Sequence, residues 1–347
     1  MRRLPLRSIA VLAAIGSLAL TGCGTQTGDA GEQTAGAPGA GGQSIRAQQV
    51  MRLTEVHKQT GMTLLEGPVF GADGGLFVVD VTAPEGEPKV MRVDVRKKTK
   101  RAVHTDGRGA YTSAQFSPYD GRLYLTDFAH GEIVSLSPDA LDADGGDLRT
   151  FFSGKVDGAP MNPDDIAFDE DGNLYVSDSR GLTEGKALGR VVRIDRDGEE
   201  ATVLADGLAA TNGISFDAEY RGLWFSELTE NRISYLPVGR KGGVTARHTA
   251  IRVDGGIAQT DSIAVDADGN LYQALHGRPA MVVYDRHGER LATVEVPARA
   301  AEGLESATNV AITPGGTKAY MTVSGPAGGY LYTFDALAKG TRQSNGG

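Results

Sequence analysis

The stretch 261-DSIAVDADGNLY-272 holds a short strand pattern, a glycine turn and a second strand that carries an aromatic residue. The same pattern recurs six times along the chain, and its apolar anchors are 46, 52, 48, 49 and 47 residues apart. The anchors are Phe70, Phe116, Phe168, Phe216, Val265 and Ile312. A repeat of short strands at this period is typical of the blades of a propeller.

Each repeat is long enough for four strands. In five repeats a turn containing glycine follows the anchor strand, which is a hairpin signal, while Tyr220-Arg221-Gly222 makes a looser turn in the fourth. Two more short strands follow the aromatic strand. The sequence therefore predicts an all-β fold, a six-bladed β-propeller with four-stranded blades over residues 51–340. Because the last strand (330–335) lacks an outer partner, we expect residues 52 to about 60 to complete the sixth blade.

One position precedes each anchor by four residues, at the start of the innermost strand. If the blades surround an axis, these positions form a ring around a central channel. The ring consists of Glu66, Thr112, Asp164, Asn212, Asp261 and Thr308. Four members carry a carboxylate or amide oxygen, which suits calcium better than zinc, while magnesium demands stricter octahedral geometry. We therefore predict one Ca²⁺ in the channel.

The predicted calcium ligands are Glu66, Asp164, Asn212 and Asp261, which leave coordination positions open for water or substrate. Thr112 and Thr308 mark the less charged side, where a substrate oxygen could enter. Two simpler interpretations stay open: a calcium that only joins the blades, and side chains that cap strand ends through backbone hydrogen bonds.

Composition excludes several classes of protein. The 347 residues carry a net charge of −9, and the one short basic run, Arg96 to Arg101, reads as a solvated hairpin, so nucleic acid is not an expected partner. The single cysteine, Cys23, rules out an internal disulfide and a cysteine-based zinc site. We expect a monomer that acts on a small molecule.

The first 22 residues resemble a bacterial lipoprotein signal peptide, with a basic start, an apolar segment (9–20) and the lipobox Leu20-Thr21-Gly22-Cys23. The resemblance implies lipidation of Cys23 and attachment to the extracytoplasmic face of the cell membrane. Residues 23–50 would then be the lipidated cysteine with a flexible Gly/Ala-rich tether, and residues 341–347 a tail. An ordinary secretory signal cleaved elsewhere is the alternative.

Four motifs carry a further resemblance: LEGPVF (65–70), DDIAFD (164–169), NGISF (212–216) and DSIAVD (261–266). They resemble the signatures of the senescence-marker protein, gluconolactonase and luciferin-regenerating family, and are most similar to its drug-responsive lactonase branch. The resemblance implies a catalytic calcium on the four matched positions and hydrolysis of a lactone or related ester. It also implies that Asp261 donates a proton.

The chemical roles leave alternatives. Asp165, beside a predicted ligand, would orient that ligand or share the proton transfer with Asp261. Asp261 could instead attack covalently, and cleavage of phosphotriesters stays open. A non-catalytic binding propeller with a structural calcium at the cell surface is the alternative from a different class.

The chain also departs from the family pattern. Ser262 matches one ligand of a second calcium site in the lactonase branch, but the stretch 126–131 lacks the insertion that completes that site. No arginine and asparagine pair precedes Asp164 to hold sugar hydroxyls, which argues against a sugar lactone. His130, His276 and Arg180 fall in loops expected at the pocket mouth and are candidates for contact with substrate.

Overall fold

A computed structural model describes residues 42–141, 147–239 and 243–342. The predicted signal peptide, Cys23, most of the tether and residues 343–347 lie outside these ranges. The described residues form an all-β propeller of six sheets, which confirms the predicted fold. None of their helices is long and apolar enough to cross a membrane.

The chain enters through two strands, β1 (Gln43–Arg46) and β2 (Gln48–Thr54), before it builds the blades in order. Blade 1 contains β3 (Leu65–Phe70), β4 (Leu76–Asp80), β5 (Val90–Asp94) and β6 (Thr99–His104). Blade 2 contains β7 (Tyr111–Phe116), β8 (Leu123–Asp127), β9 (Glu132–Leu136) and β10 (Leu148–Ser153). A small hairpin, β11 (Lys155–Val156) and β12 (Ala159–Pro160), separates it from blade 3.

The other four blades repeat this order from the axis outwards. Blade 3 contains β13 (Pro163–Phe168), β14 (Leu174–Asp178), β15 (Gly189–Ile194) and β16 (Ala201–Leu208). Blade 4 contains β17 (Thr211–Phe216), β18 (Gly222–Glu227), β19 (Arg232–Pro237) and β20 (His248–Arg252). Blade 5 contains β21 (Gln259–Val265), β22 (Leu271–His276), β23 (Ala280–Tyr284) and β24 (Arg290–Glu295). Blade 6 contains β25 (Ser306–Ile312), β26 (Lys318–Gly325) and β27 (Gly328–Asp335).

Three single-turn 3-10 helices lie in connections outside the strands. They are Pro138–Leu141, Leu228–Glu230 and Ala298–Ala300.

The N-terminal segment closes the ring. β2 pairs antiparallel with β27 and supplies the outermost strand of blade 6, as expected, although it spans 48–54 rather than 52–60. β1 pairs parallel with β24 and gives blade 5 a fifth strand. The prediction that residues 43–50 belong to the tether is therefore wrong. Backbone hydrogen bonds to two sheet edges and the buried side chain of Ala47 hold this polar segment in place.

The recurring aromatic residues pack the blades against one another. In four of the six interfaces the aromatic residue of one blade meets the anchor phenylalanine of the next edge-on, with ring centroids 4.8–5.7 Å apart. These pairs are Phe77 with Phe116, Tyr124 with Phe168, Tyr175 with Phe216, and Tyr320 with Phe70. The anchor residues of the sequence repeat are therefore residues that pack one blade against the next.

Candidate metal centre and active site

The inner strand of every blade is irregular at the ring position. Each pairs with its second strand through a register shift in which one extra residue is inserted. The shifts fall between Glu66 and Val69, Tyr111 and Ser113, Pro163 and Ile166, Thr211 and Ile214, Thr260 and Ile263, and Ala307 and Asn309. A bulge breaks the regular alternation of side chains between the two faces of a strand and redirects them. All six ring positions lie at or beside such a bulge.

Two glycines let the inner strands approach closely. Gly67 follows Glu66 and has a φ of +49°, and a Cβ there would lie 2.6 Å from the backbone nitrogen of Ala114. At Gly213, which follows Asn212, a Cβ would lie 2.5 Å from the backbone nitrogen of Ile263. Only glycine permits these approaches, which bring the ring residues of neighbouring blades together at the axis.

Four acidic side chains meet there: Glu66, Asp164, Asp165 and Asp261, called the axial carboxylates below. Glu66, Asp165 and Asp261 are buried, and Asp164 is partly exposed. The Nδ2 of Asn212 donates to Asp164 Oδ2 at 3.1 Å, and the Asn212 side chain also hydrogen-bonds Asp261. One amide therefore links two of the predicted ligands.

Hydroxyl and amide groups also surround the oxygens of the axial carboxylates. Ser179 donates to Asp164 Oδ2 at 3.0 Å. Ser113 and Ser262, from blades 2 and 5, hydrogen-bond the carboxylate of Asp165, which ties it to both sides of the axis. Asn309 hydrogen-bonds Glu66.

The environment favours the protonated form of all four axial carboxylates. Burial is the largest cause in each case, and it raises the pKa of Asp164 to about 7. Burial and the charge of Asp164 raise the pKa of Asp165 to about 8. The pKa values of Glu66 and Asp261 lie well above the usual range, because burial is reinforced by the neighbouring carboxylates.

The donor set fits a hard cation. Three buried oxygens of this cluster have no hydrogen-bond partner among the described residues: Glu66 Oε2, Asp165 Oδ1 and Asn212 Oδ1. Among the described residues, the only basic side chain paired with an axial carboxylate is that of His276, whose Nδ1 lies 3.7 Å from Asp261 Oδ2. In the same ranges no three His, Cys, Asp or Glu side chains stand close enough to hold a metal as they are. The oxygens are thus of the type that calcium prefers.

The two ring threonines do not offer their hydroxyls to a substrate. Thr308 is fully buried and its Oγ1 donates to the carbonyl of Leu65 at 2.6 Å. Thr112 is also buried, with its Oγ1 3.0 Å from the carbonyl of Asp164. Both hydroxyls join one inner strand to the next, so the expectation of a substrate entry lined by these two residues is wrong.

The other candidates divide into two groups. His276 reaches Asp261 and lies 3.4 Å from Ser306 Oγ, and Ser262 contacts Asp165, so both belong to the cluster. Arg180 follows Ser179 and is partly exposed beside Asp178. The Nδ1 of His130 bonds Asp127 Oδ2 at 2.9 Å, and none of its described contacts is with an axial carboxylate.

A second set of acidic residues ends the second strands of blades 1 to 4: Asp80, Asp127, Asp178 and Glu227, called the peripheral carboxylates below. All four are buried, and each has a basic partner: His57 at 2.8 Å, His130 at 2.9 Å, Arg190 at 2.7 Å and Arg232 at 2.8 Å respectively. Asp127, Asp178 and Glu227 also accept a backbone N–H from the segment that enters the same blade. These bonds connect the peripheral carboxylates to the segments between the strands and stabilise the connections between blades.

Sequence reasoning missed a second ring, formed by the residue after each ring position. It consists of Gly67, Ser113, Asp165, Gly213, Ser262 and Asn309. Ser113, Ser262 and Asn309 bond axial carboxylates, and the two glycines give the close approach between strands. The same period that gives the first ring would have found the second.

Residues 64–325 match the family described as the SMP-30/Gluconolactonase/LRE-like region. The chain belongs to this family. Among curated relatives of this SMP-30/gluconolactonase-like chain is the lactonase drp35 of Staphylococcus haemolyticus, 26% identical over 315 residues, which cover 86% of this chain and 90% of that protein. The match to the lactonase supports the family resemblance inferred from the four motifs.

Solved structures share the fold. Regucalcin from Agrobacterium tumefaciens, described as a calcium-binding protein, has a TM-score of 0.68 at 17% identity and covers 87% of this chain and 99% of its own. The gluconolactonase XC5397 from Xanthomonas campestris has a TM-score of 0.64 at 19% identity and covers 87% of this chain and 98% of its own. These structures show the fold alone, and the lactonase-type hydrolase activity is supported at family level by the family match and the curated lactonase relative.

Proposed function

We propose that this SMP-30/gluconolactonase-like protein is a calcium-dependent hydrolase of a lactone or related ester. The observation that carries the proposal is the axial cluster, in which three buried acidic side chains and the partly exposed Asp164 lie together without a lysine or arginine partner among the described residues. Buried like charges are costly unless a cation compensates them. Glu66, Asp164, Asn212 and Asp261 would supply four of the six to eight oxygens that calcium accepts.

A calcium ion bound there would supply the Lewis acidity that polarises a substrate carbonyl. Asp261 stands against Asn212 and His276, where it can hold a proton and pass it to the leaving alkoxide. Asp165, fixed by Ser113 and Ser262, is the second candidate for this proton transfer.

The test is hydrolysis of a small panel of sugar and non-sugar lactones by the full chain, in calcium and after chelation. We expect turnover in calcium, loss of turnover with chelator, and recovery when calcium returns. Turnover of only the non-sugar lactones would agree with the lack of an arginine and asparagine pair for sugar hydroxyls. No turnover by the wild type in calcium would instead favour the binding propeller.

We also propose that the protein is lipid-anchored through Cys23, a proposal supported by the lipobox. β1 runs parallel to β24, so the chain enters at the end of blade 5 where Arg290 lies, opposite the end that holds Asp261 and His276. A tether at that end would direct the candidate site away from the membrane. Cys23→Ala should move the protein from the membrane fraction to the soluble fraction, and unchanged fractionation would contradict the anchor.

A further inference from the structure

A cavity of about 270 Å³ lies between blades 1 and 2. It is bordered by the turn at 59–62, the loop after β4, the connection at 107–110 and the loop after β8. All four segments lie at the end of the propeller where the inner strands begin, which is also the end that holds the axial carboxylates. The apolar part of the lining comes from Met62, Val81, Ala83, Pro84, Ala110 and Ala129.

The inner wall of the cavity is continuous with the candidate site. Val81 donates its N–H to the carbonyl of Leu64 at 2.9 Å, and Thr82 Oγ1 accepts the Leu64 N–H at 3.1 Å. Leu64 is two residues before Glu66, and Ala110 is two residues before Thr112. At roughly 3.3 Å per residue, both walls reach to about 7 Å from the ring along the chain.

Internal bonds hold the cavity open. The buried Lys89 donates from Nζ to the carbonyls of Ala83 at 2.6 Å and Gly109 at 2.5 Å, which joins two opposite walls. His57 begins the turn that carries Met62, and its Nε2 is bonded to Asp80 Oδ2 at 2.8 Å. The cavity therefore exists before any ligand arrives, which lowers the cost of binding.

Two basic side chains at the cavity already have partners. The ammonium of Lys89 is bonded to two backbone carbonyls, and Arg108 pairs with Glu132 at 3.0 Å. A polyhydroxylated substituent would need donors and acceptors directed at it, whereas this lining offers mainly aliphatic surface. The volume is at the lower end for a whole ligand, about 300–1,000 Å³, and suits one substituent.

We propose that this cavity is a subsite for an apolar substituent of the substrate, so that the protein acts on lactones or esters with an alkyl or aryl side chain. The proposal rests on the proposed hydrolase function. The reacting ring would lie at the axial carboxylates, and the side chain would extend outwards between blades 1 and 2.

The test measures kcat/KM of the full chain in calcium for γ-lactones with unbranched side chains of increasing length. We expect a rise of roughly fourfold per added methylene until the cavity is filled, and then a plateau. Ala129→Phe should remove this rise and leave the shortest lactone unaffected, whereas Met62→Ala should move the plateau to longer chains. Ala298→Phe, at an exposed site in the connection between blades 5 and 6, is the matched control and should change neither.

The outcomes separate the two proposals. Turnover that does not depend on chain length, or an equal loss for short and long substrates in Ala129→Phe, would overturn the subsite and leave the hydrolase intact. If no lactone is turned over, calorimetric binding of the same lactones to the wild type and to Ala129→Phe decides the subsite by itself. Binding that tightens with chain length only in the wild type supports it, and equal binding contradicts it.

Discussion

The axial and peripheral carboxylates are two sets of four acids at the same end of one propeller, and all of them are buried except Asp164, which is partly exposed. Each peripheral carboxylate has an arginine or histidine within 2.9 Å. Within the part of the chain that the structure describes, the axial set has one imidazole at 3.7 Å and two carboxylate oxygens with no hydrogen-bond partner. This difference in partners indicates different roles. A buried carboxylate that is paired with a basic side chain stabilises the fold, whereas a buried carboxylate without such a partner can bind a cation.

The contrast in pKa is clearest between Glu227 and Asp165, because burial also raises the pKa values of Asp127 and Asp178 in the peripheral set. Arg232 and Ser234 hydrogen-bond Glu227, and these bonds hold the pKa of that carboxyl below its usual value against the effect of burial. At the axis nothing comparable opposes burial, and the pKa of Asp165 rises to about 8. Two similar side chains in one fold thus differ because of what stands next to them.

The largest effect is expected from Asp261→Asn. It removes the group placed to transfer a proton, so turnover of a lactone should fall roughly 10²- to 10⁴-fold. The propeller should stay folded, because an uncharged amide relieves repulsion among the axial carboxylates. Steady-state kinetics and circular dichroism check the two halves of this prediction, and retained activity would remove the assigned role.

The same change in the peripheral set should act on stability instead. Asp178→Asn leaves the guanidinium of Arg190, 4% exposed, without its counter-charge. We expect a loss of about 3–5 kcal/mol in the free energy of unfolding, with kcat little changed for the folded fraction. Denaturant unfolding at fixed calcium measures it. Equal stability losses in Asp178→Asn and Asp261→Asn would break the distinction between the two sets.

The sequence alone could not predict the difference between the axial and the peripheral carboxylates, for a physical reason. The ring period fixed the blades and gave the cluster of Glu66, Asp164, Asn212 and Asp261, because equivalent positions in a closed repeat must converge. It could not tell paired acids from unpaired ones, since the separation between an acid and its partner has no fixed value: it is 3 residues for His130 and 23 residues for His57.

The two other errors arise from contacts that a single strand does not reveal. β1 was assigned to the tether because its stability comes from backbone pairing to β24, which leaves little apolar pattern in the sequence. Thr308 was assigned to the substrate side because the strand bulge, which decides where its hydroxyl points, is a property of two paired strands and not of one. Both depend on contacts between distant parts of the chain.

The next prediction concerns the pH dependence of stability that the axial carboxylates cause. For Asp164 and Asp165 the folded pKa lies above the unfolded value of about 3.9, so their contribution to stability is complete below that value. It is lost as pH rises through about 7 to 8. The melting temperature of chelated protein should therefore fall between pH 5 and pH 8, and calcium should reduce this fall. A chelated protein that becomes more stable over the same range would contradict the prediction.

The smallest effect is expected from Glu66→Gln, which keeps the shape of one axial side chain and removes its charge. A ligand that binds only the native state stabilises it by about 2.7 kcal/mol at one hundred times its Kd, so weaker calcium binding should reduce the calcium-dependent rise in melting temperature. Glu227→Gln is the matched control: it should lower the melting temperature with and without calcium and leave the rise itself unchanged. Because the two substitutions are chemically identical, a difference in the calcium-dependent rise reports position alone. An equal rise in both variants and the wild type would mean that Glu66 does not bind the ion.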